Sequence, residues 1–382
     1  MKYSTWLVVA LLCLSSFSSE FDARILIKGK VFSKTDKKPI PYVNVFPQES
    51  NYGTFTNLDG EFELLVKEQD YSKRLVASMM GFEDQFIPMD TAITYQIFLK
   101  EQILELPEVV LSEMTADQIM DNFRLRVHSN YPEYPLVNRV FLREYERVRG
   151  DRNIYLNEVM VDYFREGYFS TGDDLMKLIK GKNEVYDTSV PFDYMSGGFS
   201  DIKSDVIKYP REFLTRSKGY VYEVDHVIPG DRKVYKIAFQ AKNKGEYEGF
   251  LYIEEDSFAL LKAEISYSEY GLGILNKLTK GVGFEWDELQ ETIVYRKGKD
   301  NKYNLSEIIS EGIGYDYHLA DPLVITSEIM VIETDKATFF ANEFSPIQDH
   351  LSISEMDFEA TPFFWEDNNY MVLEDSFTDT RN

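Results

Sequence analysis

Side chains able to do nucleophilic or metal chemistry are sparse in this 382-residue chain, and their spacing matches no catalytic set. The four histidines are His128, His226, His318 and His350, and none is followed by Glu at the third position. No His-Glu-x-x-His run exists either. A zinc peptidase needs such spacing to place two ligands on one side of the ion and a base beside its water. Cys13 is the only cysteine. It lies in a segment expected to be removed, so the mature chain is expected to have no disulfide, thiol nucleophile or cysteine-bound metal. Acids are abundant, 65 in all, but no two are marked as a working pair. The residues therefore indicate no catalytic group, no cofactor and no metal.

One strand carries a pattern with chemical meaning. Arg139, Phe141, Arg143, Tyr145 and Arg147, followed by Arg149, alternate along 139–149. In an extended chain all of them point to one side. Guanidinium groups interleaved with aromatic rings form a possible ligand face for a carboxylate, phosphate or sugar. The simpler reading pairs the same arginines with acids on neighbouring strands.

The elements that must position these residues fall into two groups. Residues 24–111 read as short strands separated by turns. Ile25 and Ile27, Val43 and Val45, then Phe62 and Leu64 alternate with neighbours that face the other way. Asp59-Gly60 between two such runs is a hairpin signal, because glycine accepts a positive φ. Asn57-x-Asp59-Gly60 also resembles part of a calcium loop. Phe55 and Val66 stand where that loop needs oxygen ligands, so a structural turn is expected.

The run G-K-V-F-S…K-P-I-P-Y-V-N-V-F…G-T-F-T-N-L-D-G-E-F-E-L, from Gly29 to Leu64, resembles the carboxypeptidase regulatory-like family. Ser78-Met79-Met80-Gly81-Phe82 and Leu106-Pro107-Glu108-Val109-Val110-Leu111 match its usual ending. The resemblance implies a transthyretin-like seven-stranded β-sandwich, an accessory module found in envelope proteins of the Bacteroidetes group. The peptidase half that sometimes accompanies it is missing.

Beyond the joint at 112–114, Thr115-x-x-Gln118 is a capping box, with Met114 and Ile119 placed as a hydrophobic staple. Ala116, Ile119, Met120, Phe123 and Val127 then share one face of a helix. His128 is expected to be solvated near the end of that helix, where positive charge is favoured. Strand patterns follow at 137–148, 153–164, 232–241, 246–254, 258–267, 293–296, 303–309 and 323–333. Short helices are expected at 173–180, closed by Gly181, and at 201–208. This is an α+β plan, a curved antiparallel sheet packed on a helix, similar to the half-barrel of lipoprotein carriers. One helix is too narrow to cover such a sheet. The rest is expected to be filled either by the aromatic run Phe363 to Tyr370 or by a ligand.

The expected organisation is a signal peptide at 1–18, the sandwich at 19–112, the curved-sheet domain at 113–345, and an aromatic, acidic tail at 346–382. Lys2, the apolar run Trp6 to Leu14 and the serines after it form the signal. Cleavage is expected near Ser18, and lipidation of Cys13 is the alternative. The net charge is −24, and losing Lys2 makes it −25. Such a surface repels phosphate backbones, so nucleic acid is a poor partner. No apolar run after the signal reaches membrane length. The function expected is a non-catalytic envelope protein, in the periplasm or at the outer membrane or cell surface. The sandwich would dock or space, and the second domain would bind an envelope protein or an apolar or anionic small ligand. The alternatives are a carrier of lipid and, third, a carboxylate-dependent hydrolase.

Overall fold

The computed structural model describes residues 24–89, 94–102, 114–148, 152–172, 174–187, 198–215, 219–228, 233–337, 344–346, 358, 365 and 367–378. The signal at 1–18 with Cys13, the family-like ending at 106–111, Arg149, His350 and residues 363, 364 and 366 of the aromatic run lie outside the described residues.

Seven strands build the first unit: β1 (Arg24–Ser33), β2 (Asn44–Pro47), β3 (Thr54–Phe55), β4 (Glu61–Lys67), β5 (Arg74–Ser78), β6 (Gln85–Pro88) and β7 (Tyr95–Leu99). They form two sheets, β4-β1-β7 and β3-β2-β5-β6. The alternation read in the sequence is what closes them. Val31, Val45, Leu64, Leu75 and Leu99 point inward and are fully buried in one core. The Asn57–Gly60 turn forms as expected, with Gly60 at φ 75°. Asn57 Oδ1 accepts hydrogen bonds from the backbone N–H of Asp59 and Glu61, at 3.1 and 2.8 Å. The seven-stranded sandwich is thus present.

Helix α1 (Ala116–Asn130) follows, opened by the capping box of Thr115 and Gln118. Then come β8 (Leu136–Val148), β9 (Arg152–Arg165), β10 (Leu175–Val185), the four-residue helix α2 (Glu212–Thr215), β11 (Tyr220–Ile228), β12 (Val234–Ala241), β13 (Tyr247–Glu254) and β14 (Leu260–Tyr267). Helix α3 (Glu269–Thr279), β15 (Phe284–Lys297), β16 (Tyr303–Asp316), β17 (Asp321–Lys336), β18 (Ser345–Pro346) and the short α4 (Asp375–Thr378) complete the order. Eleven strands make one curved, open antiparallel sheet, β11-β12-β13-β14-β15-β16-β17-β8-β9-β10-β18.

A single level of side chains explains why this sheet holds together. Val159, Leu142, Ile329, Ile308, Ile293, Ala263, Leu251 and Ile237 are successive cross-strand partners over eight strands. All eight are fully buried. Each large aliphatic side chain so buried contributes roughly 1.5–3 kcal/mol. Ile119, Met120 and Phe123 of α1 join this core. So do Phe199, Ile202, Val206, Ile207, Phe213 and Leu214, from residues 198–215.

Three expectations differ from the structure. Residues 173–180 are not a helix, since 175–185 form β10. The acids and lysine suited a helix, but β9 offers a long strand edge and β10 pairs with it from Leu175↔Phe164 to Val185↔Tyr155. Gly181 is therefore no helix cap. It lies in the strand, where an added Cβ would come within 2.1 Å of the Phe358 ring. The helix expected at 201–208 is a 3-10 turn at Gly198–Ser204, running into further turns. The described part of the aromatic run does not fill the α1 face of the sheet: residues 198–215 and Phe358 pack there, and Trp365, Tyr370 and Met371 lie on the opposite face, with Phe141, Met160 and Met330.

Candidate functional site: the junction of sandwich, sheet and closing segment

The arginine strand forms as read. Its odd-numbered side chains leave the α1 face and enter a layer between the sheet, the sandwich and the segment formed by Trp365 and residues 367–378. Arg143 is fully buried at its centre. Its Nε and Nη2 donate to Glu158 Oε1 at 2.8 and 2.6 Å. Nη1 reaches both oxygens of Glu374, at 3.2 and 3.3 Å, and Nη2 also donates to the Met371 carbonyl at 2.7 Å. Glu328 Oε2 lies 3.7 Å from Nη1. Lys182 on β10 pairs with the second oxygen of Glu158 at 2.6 Å.

The sandwich enters this cluster through Tyr42, whose hydroxyl donates to Glu328 Oε1 at 2.7 Å. Tyr42 holds a left-handed backbone, φ 60°, unusual for a bulky residue. Its N–H donates to the Thr56 carbonyl, which helps fix that conformation. Phe55, also from the sandwich, is fully buried beside Phe141 and Trp365.

The charges are uneven. Glu158, Glu328 and Glu374 face Arg143 and Lys182, so one carboxylate is in excess. Burial drives Glu158 upward, but Arg143 and Lys182 outweigh it and hold its pKa below the usual range. Burial and the nearby Glu374 raise Glu328 to about 7 against the pull of Arg143. Burial also raises the Tyr42 hydroxyl, with Glu328 adding to it.

The other members of the strand sit in the same layer. Arg139 makes a two-pronged pair with Asp162, at 2.9 and 3.0 Å. Tyr145 packs edge-on against Phe377. The Arg147 guanidinium lies 4.3 Å from the Phe377 ring centre and donates to Ser376 Oγ. The five residues are brought together: Arg139 pairs with Asp162, Arg143 with Glu158 and Glu374 and over the Phe141 ring, and Arg147 with Ser376 and over the Tyr145 and Phe377 rings. Asp59 and Gly60 form the expected turn, and it has a second role. The Leu58 N–H donates to Glu374 Oε1 at 3.4 Å, and Asp59 Oδ2 accepts from the Asp375 N–H at 3.1 Å. Thr54 Oγ1 donates to the Tyr370 carbonyl at 2.7 Å. His128 is exposed at the end of α1 and lies 2.8 Å from Glu133.

Sequence reasoning missed Tyr42, Lys182, Glu328 and Glu374. Glu158 was within reach, since counting outward from the loop between β8 and β9 sets it opposite Arg143. Nothing in the sequence marks Glu374, which lies 231 positions from Arg143.

Comparison with known proteins identifies the first unit. Residues 27–111 match the family model described as CarboxypepD_reg-like domain, so the chain carries that domain at its sandwich. It is 30% identical over 104 residues to TonB-dependent receptor P39 of Formosa agariphila, covering 27% of this chain and 10% of the receptor. It is 32% identical over 91 residues to TonB-dependent receptor SusC of Bacteroides thetaiotaomicron, covering 24% of this chain and 8% of that one. The chain thus spans a tenth or less of the length of these relatives. Among solved structures, lipovitellin matches at 6% identity and a TM-score of 0.28, over 59% of this chain and 28% of its own. MucB matches at 12% identity and a TM-score of 0.20, over 56% and 92%. Likenesses at these scores carry no argument about ligand or mechanism. No helix among the described residues is long and apolar enough to cross a membrane.

Proposed function

We propose that this is a non-catalytic, exported envelope protein in which the CarboxypepD_reg-like sandwich docks or spaces and the curved-sheet domain binds. The working units are 19–112 and 113–345, and within the tail at 346–382 Trp365 and residues 367–378 clasp them together. One observation carries the reading: the most chemically capable cluster in the junction is spent on assembly. Arg143 uses its donors on Glu158, Glu374 and the Met371 carbonyl, which joins two strands to the closing segment. Tyr42 ties the sandwich to the same cluster through Glu328. A catalytic arginine would keep donors aimed at a reacting group. Location in the envelope is supported by the signal-like start and by the receptors that share the domain.

A lipid carrier would need an apolar cavity on the sheet. The α1 face is instead packed by the chain's own residues, from α1 and from 198–215. The test is fractionation of cells expressing the full chain, followed by native mass spectrometry of the purified protein. Recovery from the envelope, with a start near Ser19 or Glu20 and no retained lipid, is expected. Recovery from the cytoplasm would overturn the location, and a stoichiometric lipid would establish the carrier instead.

A further inference from the structure

We propose that a second site in the same junction binds a small ligand through one anionic group, a phosphate, sulfate or carboxylate. This rests on reading the junction as the binding region, and it uses residues outside the Arg143 cluster. A cavity of about 310 Å³ lies between the sandwich and the β15–β16 loop, lined by Lys67 and Lys73 from one side and Lys299 from the other. A smaller cavity of about 30 Å³ shares Tyr52 and Lys67 with it and adds Arg24 and Arg139. The joint lining holds five cations against two carboxylates, Asp70 and Glu333. In a chain of net charge −24 this is a local reversal of sign.

The walls are fixed. Lys67 is held by Glu333 at 2.8 Å, and its ammonium lies 4.7 Å from the Tyr52 ring centre. Lys73 is held by Asp70 at 2.6 Å. Asp70 is 6% exposed and also accepts from the Tyr52 hydroxyl at 2.9 Å, so its charge is already engaged. Lys299 makes no salt bridge within 4.0 Å among the described residues, and its charge favours the ionised forms of Asp70 and Asp335 from a longer distance. It faces Lys67 and Lys73 across the larger cavity. An oxyanion there would take charge-assisted hydrogen bonds from both domains. Gln69 supplies a neutral donor for the body of such a ligand, while the Asn51 amide is held by the Thr334 carbonyl and Asp335 and shapes the wall. The volume lies at the lower end of small-molecule sites, large enough for a monosaccharide acid or a hydrated ion.

The experiment is isothermal titration of the full chain with sodium sulfate, sodium phosphate, glucuronate and glucose 1-phosphate, against sodium chloride at matched ionic strength. Saturable binding of at least one probe is expected, weakened tenfold or more by Lys299→Glu. Lys38→Glu, at an exposed lysine outside the lining of both cavities, should leave it unchanged. Binding of the inorganic ions as tightly as the sugar forms assigns a free ion. Binding of the sugar forms alone assigns a sugar-borne anion. Absence of saturable binding by any probe, or equal binding by Lys299→Glu, would overturn the site. That result, with an intact clasp and an envelope location, would leave the docking reading standing.

Discussion

At the scale of residues, the junction rests on buried charges, and a buried charge is stable only while its partners stay. Tyr42→Phe removes one hydroxyl and leaves Glu328 Oε1 without its donor in a dry setting. The expected loss is about 1–3 kcal/mol, read by urea unfolding. An unchanged midpoint would show that the hydroxyl is not holding the carboxyl. Protonation provides the second test. Glu328 is raised from 4.5 to about 7, so the folded state binds its proton more tightly than the unfolded chain does. Its stabilisation is therefore fully present below pH 4.5 and is lost as pH rises through 7. The full swing is about 3 kcal/mol. Burial raises Glu146 and Glu307 to about 8, and they act in the same direction. Unfolding measured at pH 6 and pH 8.5 should show greater stability at pH 6, and Glu328→Gln should flatten that slope. A slope unaltered by the variant would assign the effect to other groups. The arginine strand shows what a sequence can and cannot say at this scale. Period-two alternation placed Arg139, Arg143 and Arg147 on one face, because strand geometry is local. Their distant partners depend on a segment more than 200 positions away, which no local pattern encodes.

At the scale of elements, the turn at Asn57–Gly60 does two jobs. It closes the β3–β4 connection inside the sandwich and offers backbone and carboxylate contacts to Glu374 and Asp375. Gly60→Val would force a β-branched residue to φ 75°, with its Cβ 2.6 Å from the Val31 carbonyl oxygen. A loss of roughly 1–3 kcal/mol is expected from the backbone alone. The same variant should speed proteolysis of the closing segment, measured by mass spectrometry after brief digestion. Destabilisation without faster cleavage would separate the two roles. The turn and α1 were legible because Asp-Gly and a capping box are local signals with single meanings. Residues 173–180 were misread because end charges favour a helix only when no strand edge competes. Helix α3 was missed although Ser268 caps it, its Oγ accepting from the Gly271 N–H, because Gly271 and Gly273 early in the helix weaken the pattern.

At the scale of the whole molecule, the closing segment binds two units that each have a core of their own. The sandwich core and the α1-face core share no buried residue, and the units meet around Phe55, Phe141, Trp365 and Met371 and along 51–53 against 332–334. Truncation after residue 364 should therefore leave both cores folded while loosening their docking. Calorimetry is expected to resolve one full-chain transition into two, the lower shifted down by several degrees. A single transition at the original temperature would show that the segment contributes nothing to cohesion. The sandwich could be anticipated because its strands and turns are short-range. The location of the tail could not, because either face of the sheet was apolar enough to receive it.

The left-handed Tyr42 and the distant Glu374 together set an order of events during folding. Tyr42 meets Glu328 across 286 positions, and Leu58 meets Glu374 across 316. Contacts so far apart form late, after the loop-closing entropy has been met. A chain synthesised from its N-terminus would thus present a finished sandwich whose tyrosine has nothing yet to grip. Only when residues near 374 arrive is the cluster closed over Arg143, which Glu158 already pairs from the neighbouring strand, and the two units set in fixed alignment. Until then Phe55 and Tyr42 lack their partners across the junction, so the joint closes last.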